Sequence, residues 1–347
     1  MLLGAVLGRA LAAIAQTFTT IDTTAAGVWS GGKYAGAAAV GTSVYFAPSN
    51  EDNVGVFDTT NSTFSTIETT AAGVTAGDKY DGAAAVGTSV FFAPYNEDNI
   101  GVYDTTTSTF STIDISSTAD SKYAGAAAVG TSVIFAPYDE DNVGVLDTTT
   151  STFSTFGTTA AGVTAGSKYR GAAAVGTSVI FAPYNQGNVG IFDTTTSTFS
   201  TIDGVSGASY KYDGAAAAGT SVVFAPVNQD NIGVYDTTTS TFSTLDTTAA
   251  GVTAGSKYRG AVAVGTSVYF PPNNEDNIGV LDTTTSTFST IDANYGVSDG
   301  SKYYGAAAVG TSIIIFAPYN ADNVGVLVLP STSSSAGDDP TFIGADG

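Results

Sequence analysis

Short apolar runs broken by polar turns recur along the whole chain. One unit shows the pattern. Gly36–Val40 is small and apolar, and Gly41-Thr42 turns the chain. Ser43–Ala47 follows and ends at Pro48, which cannot donate to a β-ladder. Asn50-Glu51-Asp52-Asn53 is a turn by composition. Val54–Phe57 leads to a second turn at Asp58–Ser62, and Thr63–Ile67 closes the unit. Val, Ile, Phe, Tyr and Thr at these positions favour strands, and no helical period is sustained. The unit therefore predicts four short strands, a to d in chain order. Strands b and c are apolar on both faces, as in sheets covered on both sides.

The unit repeats seven times. A Lys-Tyr pair opens each copy, at Lys33, Lys79, Lys122, Lys168, Lys211, Lys257 and Lys302, in steps of 46, 43, 46, 43, 46 and 45 residues. Lys33 to Lys122 and Lys79 to Lys168 are each 89 residues, so the array grew by copying pairs of units. Four strands per unit of about 45 residues is the signature of a β-propeller blade. The Ala-Gly strand a suits the crowded axis. A β-solenoid is the competing architecture, and the chain ends decide against it. Unit seven lacks a strand d, while an orphan copy, Thr17-Phe18-Thr19-Thr20-Ile21-Asp22, precedes unit one. An N-terminal strand d that completes the last blade closes the ring and removes two sheet edges. The expected fold is all-β: a seven-bladed β-propeller over 17–329, four antiparallel strands per blade. Residues 1–16 read either as a signal peptide or as a frayed N-terminus, and 330–347 as a disordered tail. In unit seven, Thr311–Phe316 is one residue longer than Thr42–Phe46. The extra residue predicts a bulge at Ile313–Ile315.

Composition narrows the chemistry. Of 347 residues, 43% are hydrophobic, enough for a core, and the formal charge is −21. There is no Cys and no His. Disulfides, thiol nucleophiles, Ser-His-Asp catalysis and His-metal ligation are thereby excluded. So few cations argue against a nucleic-acid partner. No later apolar run is long enough to span a membrane. A monomer is expected, and no cofactor or metal is called for. One sequon, Asn61-Ser62-Thr63, and the apolar first residues lean towards a secreted chain.

The Gly-rich strand a, the Val-Gly-Val-Phe-Asp of strand c and the Thr-Ser-Thr-Phe of strand d resemble the kelch-like propeller superfamily over 17–329. Kelch blades carry Gly-Gly after strand b, where this chain has Ala47-Pro48 and Ala93-Pro94. They carry Trp in strand d, where it has Phe64 and Phe110. The resemblance implies a propeller that binds proteins or glycans, with enzymes a minority.

Features present in every unit are best explained as scaffold. Each Lys is expected to pair with a turn acid, and each Asn-x-Asp-Asn turn to satisfy its own backbone rather than bind Ca²⁺. Blade four reads Asn185-Gln186-Gly187-Asn188 and lacks that acid. Positions that break the repeat carry more information. After Lys-Tyr come Ala35, Asp81, Ala124, Arg170, Asp213, Arg259 and Tyr304. After Ala-Pro, or Pro271-Pro272 in blade six, come Ser49, Tyr95, Tyr138, Tyr184, Val227, Asn273 and Tyr319. The d–a connection and the b–c turn share one face, so both sets should surround one channel mouth. Candidate ligand-binding residues are Arg170, Arg259, Asp213, Asp81, Tyr304, Tyr95 and Tyr184. The two arginines could clamp an anionic group, or each could pair with a turn acid such as Asp230 or Asp276.

Two functions fit. The first is a non-catalytic binding or scaffold propeller with a glycan or protein ligand on the Lys-Tyr face. The second is a carboxylate-based carbohydrate-active enzyme, which needs two acids about 5–9.5 Å apart. Asp81 and Asp213, in blades two and five, are expected to face across the ring rather than sit side by side.

Overall fold

The structure is a computed structural model that describes residues 16–29, 31–207, 209–293 and 300–330. Nearly all of the expected leader (1–16) and tail (330–347) lies outside the described residues. Within them, the strands form seven four-stranded antiparallel sheets arranged as propeller blades. Six sheets run a-b-c-d in chain order. The seventh is assembled from both ends of the chain: Thr17–Asp22 pairs antiparallel with Asn323–Val328, from Thr17 opposite Val328 to Asp22 opposite Asn323. The expected closure is therefore found, at the expected partner strand.

The core lies between blades. Tyr34, Val44, Phe46 and Phe57 of blade one, for example, pack with Ile315, Ala317 and Val324 of blade seven. Strand b is buried almost throughout, whereas strand d alternates between exposed and half-buried. Two glycines per blade are fixed by close approach. Gly55 in strand c lies under Tyr34, Phe46 and Phe64, and a Cβ there would come within 2.9 Å of the first two rings. Gly36 in strand a abuts the next blade, where a Cβ would sit 2.6 Å from the Asp81 carbonyl oxygen. The equivalent glycines continue this contact round the ring, ending with Gly305 against Ala35. The inner strands are thus drawn together around a narrow, Ala-lined channel.

Two local expectations need correction. Blade seven has no bulge at Ile313–Ile315. Val309 pairs with Ile313 and Ala306 with Phe316 in a regular ladder, and the far side is equally regular. The extra residue enlarges the a–b turn, which becomes Gly310-Thr311-Ser312 in place of Gly41-Thr42. A longer turn keeps every strand side chain on its proper face without breaking a ladder. A register shift does occur, but at the start of strand a. Tyr34 faces Pro48 while Ala37 faces Phe46, so Ala35-Gly36 holds one extra residue. In blade six, Pro271 replaces the usual Ala and cannot donate. Strand a there shrinks to Val262–Val264, with a lone bridge from Tyr258 to Pro272. The Thr-Thr-Ala-Ala linkers form single 3₁₀ turns, such as Thr24–Ala26, which the search for a sustained helical period passes over.

Candidate functional site

The seven Lys-Tyr pairs are a structural collar. Each lysine is 5% exposed or less. Six pair with the turn acid of the preceding blade, as Lys79 does with Asp52 at 2.9 Å and Lys168 with Asp141 at 2.9 Å. Lys33 pairs with Asp322 at 2.9 Å, carrying the collar across the closure. Asp230 and Asp276 belong to this collar, through Lys257 and Lys302, and so do not hold the arginines. Lys211 meets Gly187 where its partners meet Asp. Its ammonium donates to the Asn185 carbonyl at 3.1 Å, and burial lowers its pKa. The tyrosines are equally structural: Tyr34 donates its hydroxyl to Asn53 Oδ1 at 2.5 Å, as Tyr212 does to Asn231. The Asp-Thr-Thr turns are Asx-turns. Asp193 Oδ1 accepts from the Thr195 amide at 2.8 Å and from its hydroxyl at 2.6 Å. Among the described residues, no group of His, Cys, Asp or Glu is placed to hold a metal ion.

The repeat-breaking residues behave differently. Those that follow Lys-Tyr sit beside the close-packed glycines at the start of strand a, and those that follow strand b lie at its end, so the two sets meet at the channel mouth. Arg170 donates from Nε and Nη2 to Asp81 Oδ2, at 3.1 and 2.8 Å. Its Nη1 lies 3.3 Å from Asp213 Oδ2. Asp213 Oδ2 also accepts from Arg259 Nη1 at 3.2 Å. Asp81 and Asp213, expected to face across the ring, are linked there by a single guanidinium, so the channel is narrow enough for Arg170 to bridge them. The arginines pair with these acids and not with turn acids. Arg170 has its side-on edge and Nη1 committed, so the two-fork anion clamp does not stand as two open forks.

Aromatic rings surround this network. The Arg259 guanidinium lies 4.5 Å from the Tyr304 ring centroid, and that of Arg170 lies 5.5 Å from Tyr184. Tyr304 stacks on Tyr319 at 3.5 Å and 5°. Tyr95, Tyr138, Tyr184 and Tyr210 form an arc of successive ring contacts at 5.3, 6.0 and 4.9 Å. Burial opposes the charge on Arg170, but Asp213 and Asp81 hold its pKa well above the usual value. Burial pushes the Asp213 carboxyl up, against the lowering influence of Arg170 and Arg259.

A cavity of about 250 Å³ opens beside the network. Its walls include Asp81, Tyr95, Arg170, Tyr184, Arg259 and Tyr304, all candidates from the sequence. Asp213, the seventh, lines the adjoining neck of the channel. Both variable sets thus share one mouth. Sequence reasoning missed Asp78, which lines the same wall and accepts from Ser49 Oγ at 3.1 Å. The residue before each Lys reads Gly32, Asp78, Ser121, Ser167, Tyr210, Ser256 and Ser301. The same comparison of units, made one position earlier, singles it out.

No protein-family model matches the chain, and no curated protein sequence matches it. Solved structures do match. A virginiamycin B lyase from Staphylococcus aureus, a catalytically inactive His-to-Ala variant with quinupristin, superposes with a TM-score of 0.74 at 15% identity, covering 90% of this chain and 99% of that one. A chain of a mitotic checkpoint complex gives 0.67 at 12% identity over 95% and 99%. The WD40 repeats of RRP9 give 0.64 at 9% over 90% and 97%. At these identities the likeness is one of fold: a seven-bladed β-propeller, shared by a lyase and by WD40 proteins alike, and not specifically kelch.

Proposed function

We propose that the chain is a non-catalytic binding propeller that takes a polar ligand, a glycan or a protein segment, at the channel mouth on the Lys-Tyr face. One observation carries this reading. Most of the charged and aromatic side chains that break the sevenfold repeat line a single cavity, while the opposite face keeps Gly-Thr turns in all seven blades and Asp-Thr-Thr turns in blades one to six. A concave site with a few convergent polar groups and aromatic walls suits recognition. The WD40 neighbours, one of them part of a multiprotein complex, agree with a binding role. The lyase neighbour is inactive as a His-to-Ala variant, and this chain has no His to supply such a group.

The carbohydrate-active enzyme is the second reading. The raised carboxyl of Asp213 favours it, since a general acid needs such a shift. Against it, Arg170 bridges both mouth acids and holds them as ion-pair partners. Glycan and peptide arrays probed with the full chain separate the readings. Capture is expected to vanish in Tyr304→Ala and to persist in Asp193→Ala on the opposite face. Capture that survives Tyr304→Ala, or cleavage of an arrayed glycan, overturns the proposal.

A further inference from the structure

The charged side chains of the mouth form an open chain of alternating sign, Asp81–Arg170–Asp213–Arg259, with links of 2.8, 3.3 and 3.2 Å. Its inner members are engaged on both sides. Arg170 donates to one acid from its side-on edge and approaches the other with Nη1, and Asp213 Oδ2 serves both arginines. The ends are not closed. At the cationic end, Arg259 gives Nη1 to Asp213, but its Nε is buried and has no hydrogen-bond partner among the described residues. A buried donor in this state is costly and calls for an acceptor. Nη2, which makes no hydrogen bond among the described residues and is not buried with Nε, is the donor left to receive a carboxylate. At the anionic end, Asp81 is engaged through Oδ2, which leaves Oδ1 for a donor, and Asp78 lines the same wall.

The cavity lies between these ends. Blade one contributes only Ala35 at the position where blade two has Asp81, and this short side chain makes the room. At about 250 Å³ the space is that of a small-molecule site. It is smaller than the ~300–1,000 Å³ of sites for drug-sized ligands. The charge pattern selects among small ligands. A simple anion would approach a chain of net charge −21 beside Asp78 and Asp81. A simple cation would leave Arg259 Nη2 unpaired. A ligand with one charge of each sign closes the chain at both ends and adds no net charge.

We propose that the mouth binds a free α-amino acid with an uncharged side chain, its carboxylate on Nη2 of Arg259 and its ammonium facing Asp81 and Asp78. Tyr304, stacked on Tyr319 and lying against Arg259, provides the wall for the ligand side chain. This inference rests on the reading of the mouth as a binding site and narrows its ligand from a glycan or protein to a small zwitterion. A peptide terminus carries only one of the two charges, so capped derivatives distinguish it from the free amino acid.

Calorimetry and thermal shift on the full chain test it, with the neutral free α-amino acids, their carboxamides and their N-acetyl derivatives as probes. At least one free amino acid is expected to bind with a millimolar or tighter Kd, and each cap to weaken it at least about tenfold. Arg259→Gln is expected to abolish binding. Arg259→Lys, which keeps the charge and loses the fork, is expected to weaken it at least about tenfold and guards against misfolding of the first variant. Absence of binding by every free amino acid at millimolar concentration overturns the inference. So does equal binding of the capped forms, or binding that survives both substitutions. If an arrayed glycan or peptide still requires Tyr304 while no amino acid binds, the zwitterion fails and the binding propeller stands. If no ligand requires the mouth, both fail.

Discussion

A ring of seven lysines and a pair of arginines two residues further along their blades use their charge in opposite ways. In the collar, each Lys reaches back to the preceding blade, where a carbonyl oxygen or a turn acid receives it. The interaction recurs in every blade, so it must close on neighbours that also recur, and it ends as structure. At the mouth, Arg170 and Arg259 meet acids from non-equivalent blades. Nothing in the repeat guarantees each donor an acceptor, and Arg259 Nε is left over. In a ring of near-identical units, open bonding capacity appears where the repeat is broken.

The largest expected effect breaks the collar. Lys168 is fully buried, donates to the Asp139 carbonyl at 2.9 Å and pairs with Asp141. Lys168→Met keeps the stem and leaves that carbonyl and Asp141 unpaired. Losing one partner of a buried pair costs about 3–5 kcal/mol. Asp141 is half-exposed, so about 2–4 kcal/mol is the appropriate figure here. Urea denaturation should show this loss, while ligand capture by the folded protein is unchanged.

Tyr304→Ala inverts that result. The ring stacks on Tyr319 and carries the Arg259 guanidinium at 4.5 Å. An aromatic pair and a cation–π contact at a partly exposed site together contribute about 1–2 kcal/mol. The expected stability loss is therefore smaller than for Lys168→Met, yet capture is lost. If the collar variant lost capture and the mouth variant kept it, the division between scaffold and site would be wrong.

Much of this was legible in the sequence. The lysine steps gave seven blades, and the orphan Thr17–Asp22 gave the closure. Other features were hidden for physical reasons. Strand seven b could absorb its extra residue before or within the ladder, and Phe316-Ala317-Pro318 is compatible with both. Removing the repeated residues pointed to Asp81, Arg170, Asp213 and Arg259, but not to their bridging. That depends on channel width, which the strand-a glycines set by backbone contact across blades. It also depends on the reach of a guanidinium, which spacing along the chain does not report.

The exception within the collar offers a gain. Gly187 stands where the other blades have Asp, and Lys211 has no acid among the described residues. A Cβ at Gly187 would meet only the Val205 carbonyl oxygen at 3.6 Å, an ordinary contact. Gly187→Asp should therefore fit and complete the sevenfold set. The acid would be half in solvent like its counterparts, so about 0.2–1 kcal/mol of stabilisation is expected. The depressed Lys211 pKa should rise, which an NMR titration of the ammonium can follow. No rise would mean that Asp at this turn does not reach the collar.

The smallest effect per residue belongs to the turns on the opposite face, and it shows as pH dependence. Asp58, Asp104, Asp147, Asp193, Asp236 and Asp282 each accept hydrogen bonds from the Thr two residues on, and their carboxyl pKa values are lowered. For Asp193 the leading cause is the Thr195 hydroxyl, joined by the amides of Thr196 and Thr195. A carboxyl with a lowered folded pKa stabilises the fold fully above the ordinary Asp value of 3.8, and this contribution disappears as pH falls through the lower folded value. Stability should therefore decline on acidification below about pH 4, although protonation also relieves the repulsion of an acidic chain. The turn contribution is made by short hydrogen bonds, so added salt should suppress the repulsion far more than the decline. Asp193→Asn retains an acceptor for Thr195 but cannot titrate. It should leave neutral-pH stability and ligand capture nearly unchanged while slightly flattening the acid limb of stability against pH. An unaltered acid limb in a variant carrying Asn at all six turns would show that the decline arises elsewhere.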